Sequence, residues 1–266
     1  MTLPNAARPA PGAIALLGSG EYLDIMNTTD TYLLETLGGA SSARVVLLPT
    51  ASGLEAHGPA YWNDLGRRHF QALGVREIRA THILDRESAG DPDQLALLRD
   101  ADLYYFSGGD PEHIIDTLRG SPAWEIITIA HERGAVLAGG SAGAIALGAY
   151  TVTWGQMWAG ETPGWAMSLG AVPGLVVLPH FDRMVSFLFP NVTVFRELLS
   201  TLPRGLIAVG IDENTALVGI DTHTVVDPTA PARWRVMGQH TVTVFERDRA
   251  PRTLCVGEEV MLLNGF

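Results

Sequence analysis
Ala138-Gly139-Gly140-Ser141-Ala142-Gly143-Ala144 is the stretch on which the reading of this chain turns. The apolar run Gly134-Ala135-Val136-Leu137 leads into it, and small apolar residues follow. That pattern is a buried strand, a sharp turn and a helix start, with one hydroxyl at the apex. Gly139, Ser141 and Gly143 fit the G-x-S-x-G nucleophile elbow. Such an elbow lifts its serine clear of the sheet on a strained backbone, and its flanking positions leave no room for a Cβ. The amide after the serine then faces the place where a substrate oxyanion forms. The plainer alternative is a glycine-rich turn that packs a helix close to a sheet.

Working outward, further short apolar runs end in polar or glycine-rich loops. Ala13–Leu17 opens into Gly18-Ser19-Gly20-Glu21, and Arg44–Leu48 into Pro49-Thr50-Ala51. Asp102–Phe106 opens into Ser107-Gly108-Gly109-Asp110, and Gly174–Leu178 into Pro179-His180-Phe181-Asp182-Arg183. Val75–Ala80 reads as one more strand. Helical periodicity lies between these runs: Asp30–Leu37, the Trp62, Leu65, Phe70, Leu73 stripe, Gln94–Leu98, a helix from Pro111, and Pro122–Arg133. Alternating strands and helices predict an α/β fold with a mostly parallel sheet. Ligands of such sheets bind beyond the carboxyl ends of the strands, so these loops converge on one crevice. After residue 214 the pattern changes. Thr215–Gly219, Thr224–Val226, Trp234–Met237 and Thr241–Phe245 read as short antiparallel strands. The expected division is a catalytic domain over residues 1–214 and a C-terminal β extension over 215–266, packed on the same domain.

Composition removes several function classes. The chain has 266 residues, 47% of them apolar, with a formal net charge of −11. An acidic surface argues against nucleic acid and anionic membrane as partners. All basic side chains are arginines, so Schiff-base, pyridoxal and P-loop chemistry lack their lysine. The single cysteine, Cys255, excludes an internal disulfide and reads as a small core residue. No H-E-x-x-H occurs and the histidines show no ligand spacing, so a catalytic metal is not expected. Gly18-Ser19-Gly20 lacks the third glycine of a dinucleotide fingerprint, since Leu23 stands there. Ala13–Leu17 is too short for a signal core, which makes a cytoplasmic location the expectation.

A serine nucleophile needs a base, and His180 lies at a strand end, 39 residues after Ser141. For the acid that orients the imidazole, Asp182 and Glu161 are the candidates. The crevice loops contribute Glu21, Asp110, Gln156 and Arg183 as candidate substrate contacts, and Asp110 also fits a helix cap ahead of Pro111. Trp154, Trp158 and Trp165 crowd the loop after the elbow and suit an apolar pocket or the core equally.

Taken in order, these motifs, closing with Gly210-Ile211-Asp212-Glu213-Asn214-Thr215-Ala216, resemble the serine peptidases that include aspartyl dipeptidase (peptidase E) and cyanophycinase. These are relatives of class I glutamine amidotransferases. The resemblance runs from about Ile14 to Val218. It implies a flavodoxin-like sandwich, Ser141 as nucleophile, His180 as base, and the Gly109 and Ala142 amides as oxyanion hole. It implies no cofactor, and small peptides bearing aspartate as substrates. Where the dipeptidases carry their acid, this chain has Gln156. Leu178-Pro179-His180-Phe181 is nearer the dipeptidase pattern than the arginine-rich cyanophycinase one. The competing readings are a cyanophycinase-like or non-peptide amidase on this scaffold, and a non-catalytic small-molecule binder with a degenerate triad. A homodimer through the C-terminal strands follows from edge-strand logic.

Overall fold
A computed structural model describes residues 10–187, 192–220 and 231–263 of the chain. Five strands form the parallel half of the first sheet: β1 (Ile14–Leu17), β2 (Arg44–Leu48), β3 (Glu77–Ala80), β4 (Leu103–Phe106) and β5 (Val136–Gly140). They lie in the spatial order β1-β5-β4-β2-β3. The connecting helices are α1 (Asn27–Thr36), α2 (Gly58–Ala72), α3 (Pro92–Leu98), α4 (Pro111–Leu118) and α5 (Pro122–Glu132). The last three start for a local reason. Proline occupies the first helical position, and Asp91, Asp110 or Ser121 just before it accepts hydrogen bonds from the helix's free amides.

Beyond the elbow come α6 (Ala142–Leu147), β6 (Gly148–Val152), α7 (Trp154–Trp158), β7 (Trp165–Met167) and β8 (Val172–Leu178). There follow α8 (Phe181–Phe187), α9 (Val192–Ser200), β9 (Ile207–Ile211) and β10 (Thr215–Gly219), then β11 (Pro231–Gly238), β12 (Thr241–Glu246), β13 (Arg252–Cys255) and β14 (Glu259–Leu263). The first sheet is completed by β10, β11 and β14, which pair antiparallel beyond β1. A second, six-stranded sheet runs β13-β12-β9-β8-β6-β7.

This is the mixed α/β sandwich expected from the sequence, with one difference. The strand that ends before His180 lies not beside the elbow strand but in the second sheet. The reason is edge occupancy. β1 is flanked by β5 on one side and by β10 on the other, with Ile14 opposite Gly219. No edge remains there for β6, β8 or β9, which pair in parallel with one another instead. The C-terminal strands enter both sheets, β10, β11 and β14 in the first and β12 and β13 in the second. The strand read at Thr224–Val226 lies outside the described residues.

Alternation along β1 divides the core. Ala15 and Leu17 face α1 and α2, with Val45, Leu47 and Phe70. Ile14 and Leu16 face the second sheet, in one cluster with Val177, Val209, Val242 and Trp234. The short α6 is buried along its whole length, which explains its small residues. Cys255 does not join the core as expected. It is exposed, at the end of β13, which is the edge strand of the second sheet.

At the end of the sheet opposite the elbow, Asp102 accepts from Arg44 Nε at 2.8 Å, Nη2 at 2.9 Å and the Arg44 amide at 2.9 Å. This arrangement holds the Asp102 carboxyl below its ordinary pKa, chiefly through the side-chain hydrogen bonds from Arg44. A carboxyl with a depressed folded-state pKa stabilises the fold above its unfolded value of about 4, and that stabilisation is lost as pH falls through the folded value. Asp102→Ala is therefore expected to lower the urea midpoint at pH 7, with the gap to wild type closing as pH is taken below about 4.

Candidate active site
The elbow forms as its sequence dictates. Ser141 has φ 50° and ψ −114°, and its amide donates to Leu17 O at 3.1 Å. Small neighbours are obligatory. A Cβ on Gly139 would stand 2.6 Å from the Gly143 carbonyl carbon, and one on Gly143 would stand 2.4 Å from Phe106 O. His180, at the end of β8, also has a positive φ, of 50°. Its amide donates to Gly18 O at 3.1 Å, which brings the second sheet against the end of β1. Phe181 then lies flat on β9, because Gly210 has no Cβ to meet its ring.

Ser141 Oγ lies 2.9 Å from His180 Nε2. His180 Nδ1 lies 2.9 Å from Oε1 of Glu213, in the turn where β9 crosses to β10 between the sheets. An ionised carboxylate only accepts, so Nδ1 carries the proton and Nε2 accepts from Ser141. Glu213 is itself held: Arg183 Nε forms an ion pair with its Oε2 at 2.9 Å, and its amide donates to Asp182 Oδ1 at 3.0 Å.

Sequence reasoning placed the third group at Glu161 or Asp182. The structure puts Glu213 against the imidazole instead. Glu161 is exposed after α7, with its amide on Gln156 O. Asp182 reaches the assembly one step away, as the acceptor for the Glu213 backbone. The available signal for Glu213 was its position, a carboxylate between two strands in the Ile211-Asp212-Glu213-Asn214 run. The sequence distance of 33 residues from His180 concealed it.

Gly109 and Ala142 stand beside Ser141 in the wall of a cavity of about 390 Å³. Among the described residues, neither amide donates to a protein acceptor. Gly109, with φ 145°, passes so close to Ala51 that a Cβ would meet its carbonyl carbon at 2.4 Å. The far wall is apolar, built by Trp154, Trp158, Ile145 and Met184, with the Arg183 side chain at the rim. Trp165 stands apart, its Nε1 donating to Thr201 Oγ1 at 3.0 Å. Of the other candidate contacts, Asp110 caps α4 through the Glu112 and His113 amides. Gln156 accepts from Thr153 Oγ1 at 2.7 Å and does not line the cavity.

Glu21 is buried, with 4% of its surface exposed, under the elbow. Its Oε1 accepts from the Gly108 amide at 3.0 Å. Burial pushes its carboxyl above the ordinary carboxylate range, against hydrogen bonds from backbone amides and the charge of His180. A second cavity, of about 250 Å³, lies on this side and shares Gly109, Ser141 and His180 with the first. Among the described residues no group of three or more His, Cys, Asp or Glu side chains could hold a metal ion. No helix among them is long and apolar enough to cross a membrane.

Comparison with known proteins gives the family. The model of peptidase family S51 matches residues 14–226. The chain belongs to peptidase family S51. Curated relatives of this S51 member include the cyanophycinase of Trichormus variabilis, 29% identical over 209 residues, covering 72% of this chain and 65% of the relative. The cyanophycinase of Geminocystis herdmanii is 28% identical over 211 residues, 72% of each chain. This chain thus spans about two thirds of the length of the cyanophycinases it matches. Among solved structures, a peptidase from an acI-B1 Actinobacterium aligns with TM-score 0.80 and 31% identity, covering 96% of this chain and 98% of that one. A putative peptidase E protein from Listeria monocytogenes aligns with TM-score 0.54 and 16% identity, over 93% of this chain and 100% of that one, a likeness of fold.

The close approach at the elbow has a measurable consequence. Gly143→Ala forces its new Cβ against the Phe106 carbonyl and is expected to destabilise the fold by about 1–3 kcal/mol, read from urea denaturation.

Proposed function
We propose that this S51 family member is a serine peptidase that cleaves small peptides through an acyl-enzyme on Ser141. The observation that carries the reading is the unbroken chain from Ser141 Oγ through His180 to Glu213, with both links at 2.9 Å. His180 Nε2 takes the serine proton as Oγ attacks the scissile carbonyl. The Gly109 and Ala142 amides receive the oxyanion. Glu213 keeps the imidazole in the required tautomer and stabilises its cation. The imidazolium then protonates the leaving amine, and water, deprotonated by the same base, releases the acyl group.

Against the non-catalytic alternative, which rests on a missing acid, stands the Glu213 carboxylate 2.9 Å from His180 Nδ1. For the substrate, aspartate-bearing dipeptides are the leading class. The Arg183 guanidinium, committed to Glu213 through Nε, has its outer nitrogens for a substrate carboxylate. The Trp154–Trp158 wall suits an apolar side chain next to it. Similarity to proteins named cyanophycinase supports β-aspartyl-arginine as the second class to test.

A panel of Asp-X dipeptides, β-aspartyl-arginine and dipeptides without aspartate separates these classes. Ser141→Ala is expected to lower kcat by about a million-fold on whichever peptide is cleaved. Turnover of no peptide, or turnover indifferent to Ser141→Ala, overturns the assignment. Glu213→Gln is expected to cost about 10⁴-fold in kcat, as for a triad acid whose replacement selects the wrong tautomer. Glu161→Gln, remote from the imidazole, is expected to change kcat by less than about twofold. The reverse ranking would return Glu161 to the site.

A further inference from the structure
The two amides offered to an oxyanion come from different loops, and something must hold those loops in register. Ala142 follows the elbow, whereas Gly109 sits in the β4–α4 turn. The turn is fixed on both sides of Gly109. Asp110 N donates to Ala51 O at 2.7 Å, and Gly108 N donates to Glu21 Oε1 at 3.0 Å. The Glu21 carboxyl also fills the space beneath the elbow. A Cβ on Gly140 would lie 2.5 Å from Glu21 Cδ and 2.8 Å from each carboxyl oxygen. A Cβ on Gly108 would lie 2.9 Å from Oε1. One buried side chain thus touches both loops and, among the described residues, no cation is paired with it.

We propose that Glu21 is a positioning residue for the oxyanion hole, its carboxyl oxygen holding Gly108 so that the Gly109 amide converges with that of Ala142 on the carbonyl attacked by Ser141. It acts through a hydrogen bond to the backbone, not through its charge on His180. Burial, which favours the neutral carboxyl, agrees with this, because a neutral carboxyl still offers its carbonyl oxygen to Gly108. The proposal rests on the serine-hydrolase reading above.

The test compares the rate at which a fluorophosphonate modifies Ser141 in wild type, Glu21→Ala, Glu21→Gln and Glu21→Asp, as a function of pH. Phosphonylation generates an oxyanion without requiring the natural substrate. Glu21→Gln keeps the acceptor and removes the charge, whereas Glu21→Asp keeps the charge and withdraws the oxygen. Glu21→Ala and Glu21→Asp are expected to react up to about 100-fold more slowly, the lower range for loss of one oxyanion donor. Glu21→Gln is expected to stay within about fivefold of wild type, and the pH at which the rate rises is expected to be common to all four. Exchange of the Gly108 amide hydrogen should quicken in the slow variants alone.

Wild-type rates in Glu21→Asp overturn the proposal. So does a Glu21→Gln as slow as Glu21→Ala with a displaced pH profile, which would make charge the active property. If Glu21→Ala does not fold, the Gln and Asp pair decides alone. Absence of Ser141 labelling in wild type is a different failure. It overturns the hydrolase reading, and with it the role of Glu21.

Discussion

The hydrogen bond from the His180 amide to Gly18 O, 3.1 Å long, joins the end of one sheet to the end of the other. Every side chain of the site depends on that junction. Ser141 ends a strand of the first sheet, His180 ends a strand of the second, and Glu213 lies where the chain crosses between them. The junction is tight on both sides. Gly18 N donates to Thr215 O at 2.9 Å, and a Cβ on Gly18 would meet Asp212 O at 2.1 Å. Three segments distant in sequence thereby share one small volume, with no side chain between them.

Backbone strain is concentrated at the same place. Six non-glycine residues with positive φ occur among the described residues, and Ser141, His180, Tyr22 and Asn214 of these stand at or beside the site. Each such conformation costs about 1–3 kcal/mol and persists because the surrounding packing leaves no alternative. Here the packing is that of two sheets sharing one core, in which Ile14 and Leu16 contact the second sheet while Ala15 and Leu17 contact the helices. Rigidity at the strand ends is what a hydroxyl, an imidazole and a carboxylate require to meet within hydrogen-bond distance.

Two carboxyls attend His180 and their settings differ. Glu213 is shared between the imidazole and Arg183, in contact with solvent at the cavity rim. Glu21 is buried beneath the elbow, at the wall of the second cavity, and burial is the largest influence on its carboxyl. The first setting puts a carboxyl oxygen 2.9 Å from the imidazole Nδ1, with an arginine on its other oxygen. The second favours a hydrogen-bond acceptor that fixes backbone. One fold thus gives two identical side chains different surroundings, in both solvent access and partners.

Much of this was legible in sequence, and the limits have physical causes. Apolar runs ending in glycine loops determine a parallel α/β sheet, because only buried strands tolerate such runs. The elbow is legible because its steric demand fixes residue types at adjacent positions. Asp91-Pro92, Asp110-Pro111 and Ser121-Pro122 mark helix starts for an equally local reason. Cys255 misled, since an apolar neighbourhood in sequence does not reveal that its strand is an edge. The division into two sheets was not legible, because it follows from β10 occupying the free edge of β1, a contact about 200 residues apart in sequence. Glu213 went unassigned for the same reason. The chain by itself determined which chemistries were available, through its serine elbow, its strand-end histidine and its lack of lysine. Only the tertiary structure decided which carboxylate meets the imidazole, because that depends on where two sheets touch, and side-chain reach is short compared with the distances that strand pairing spans.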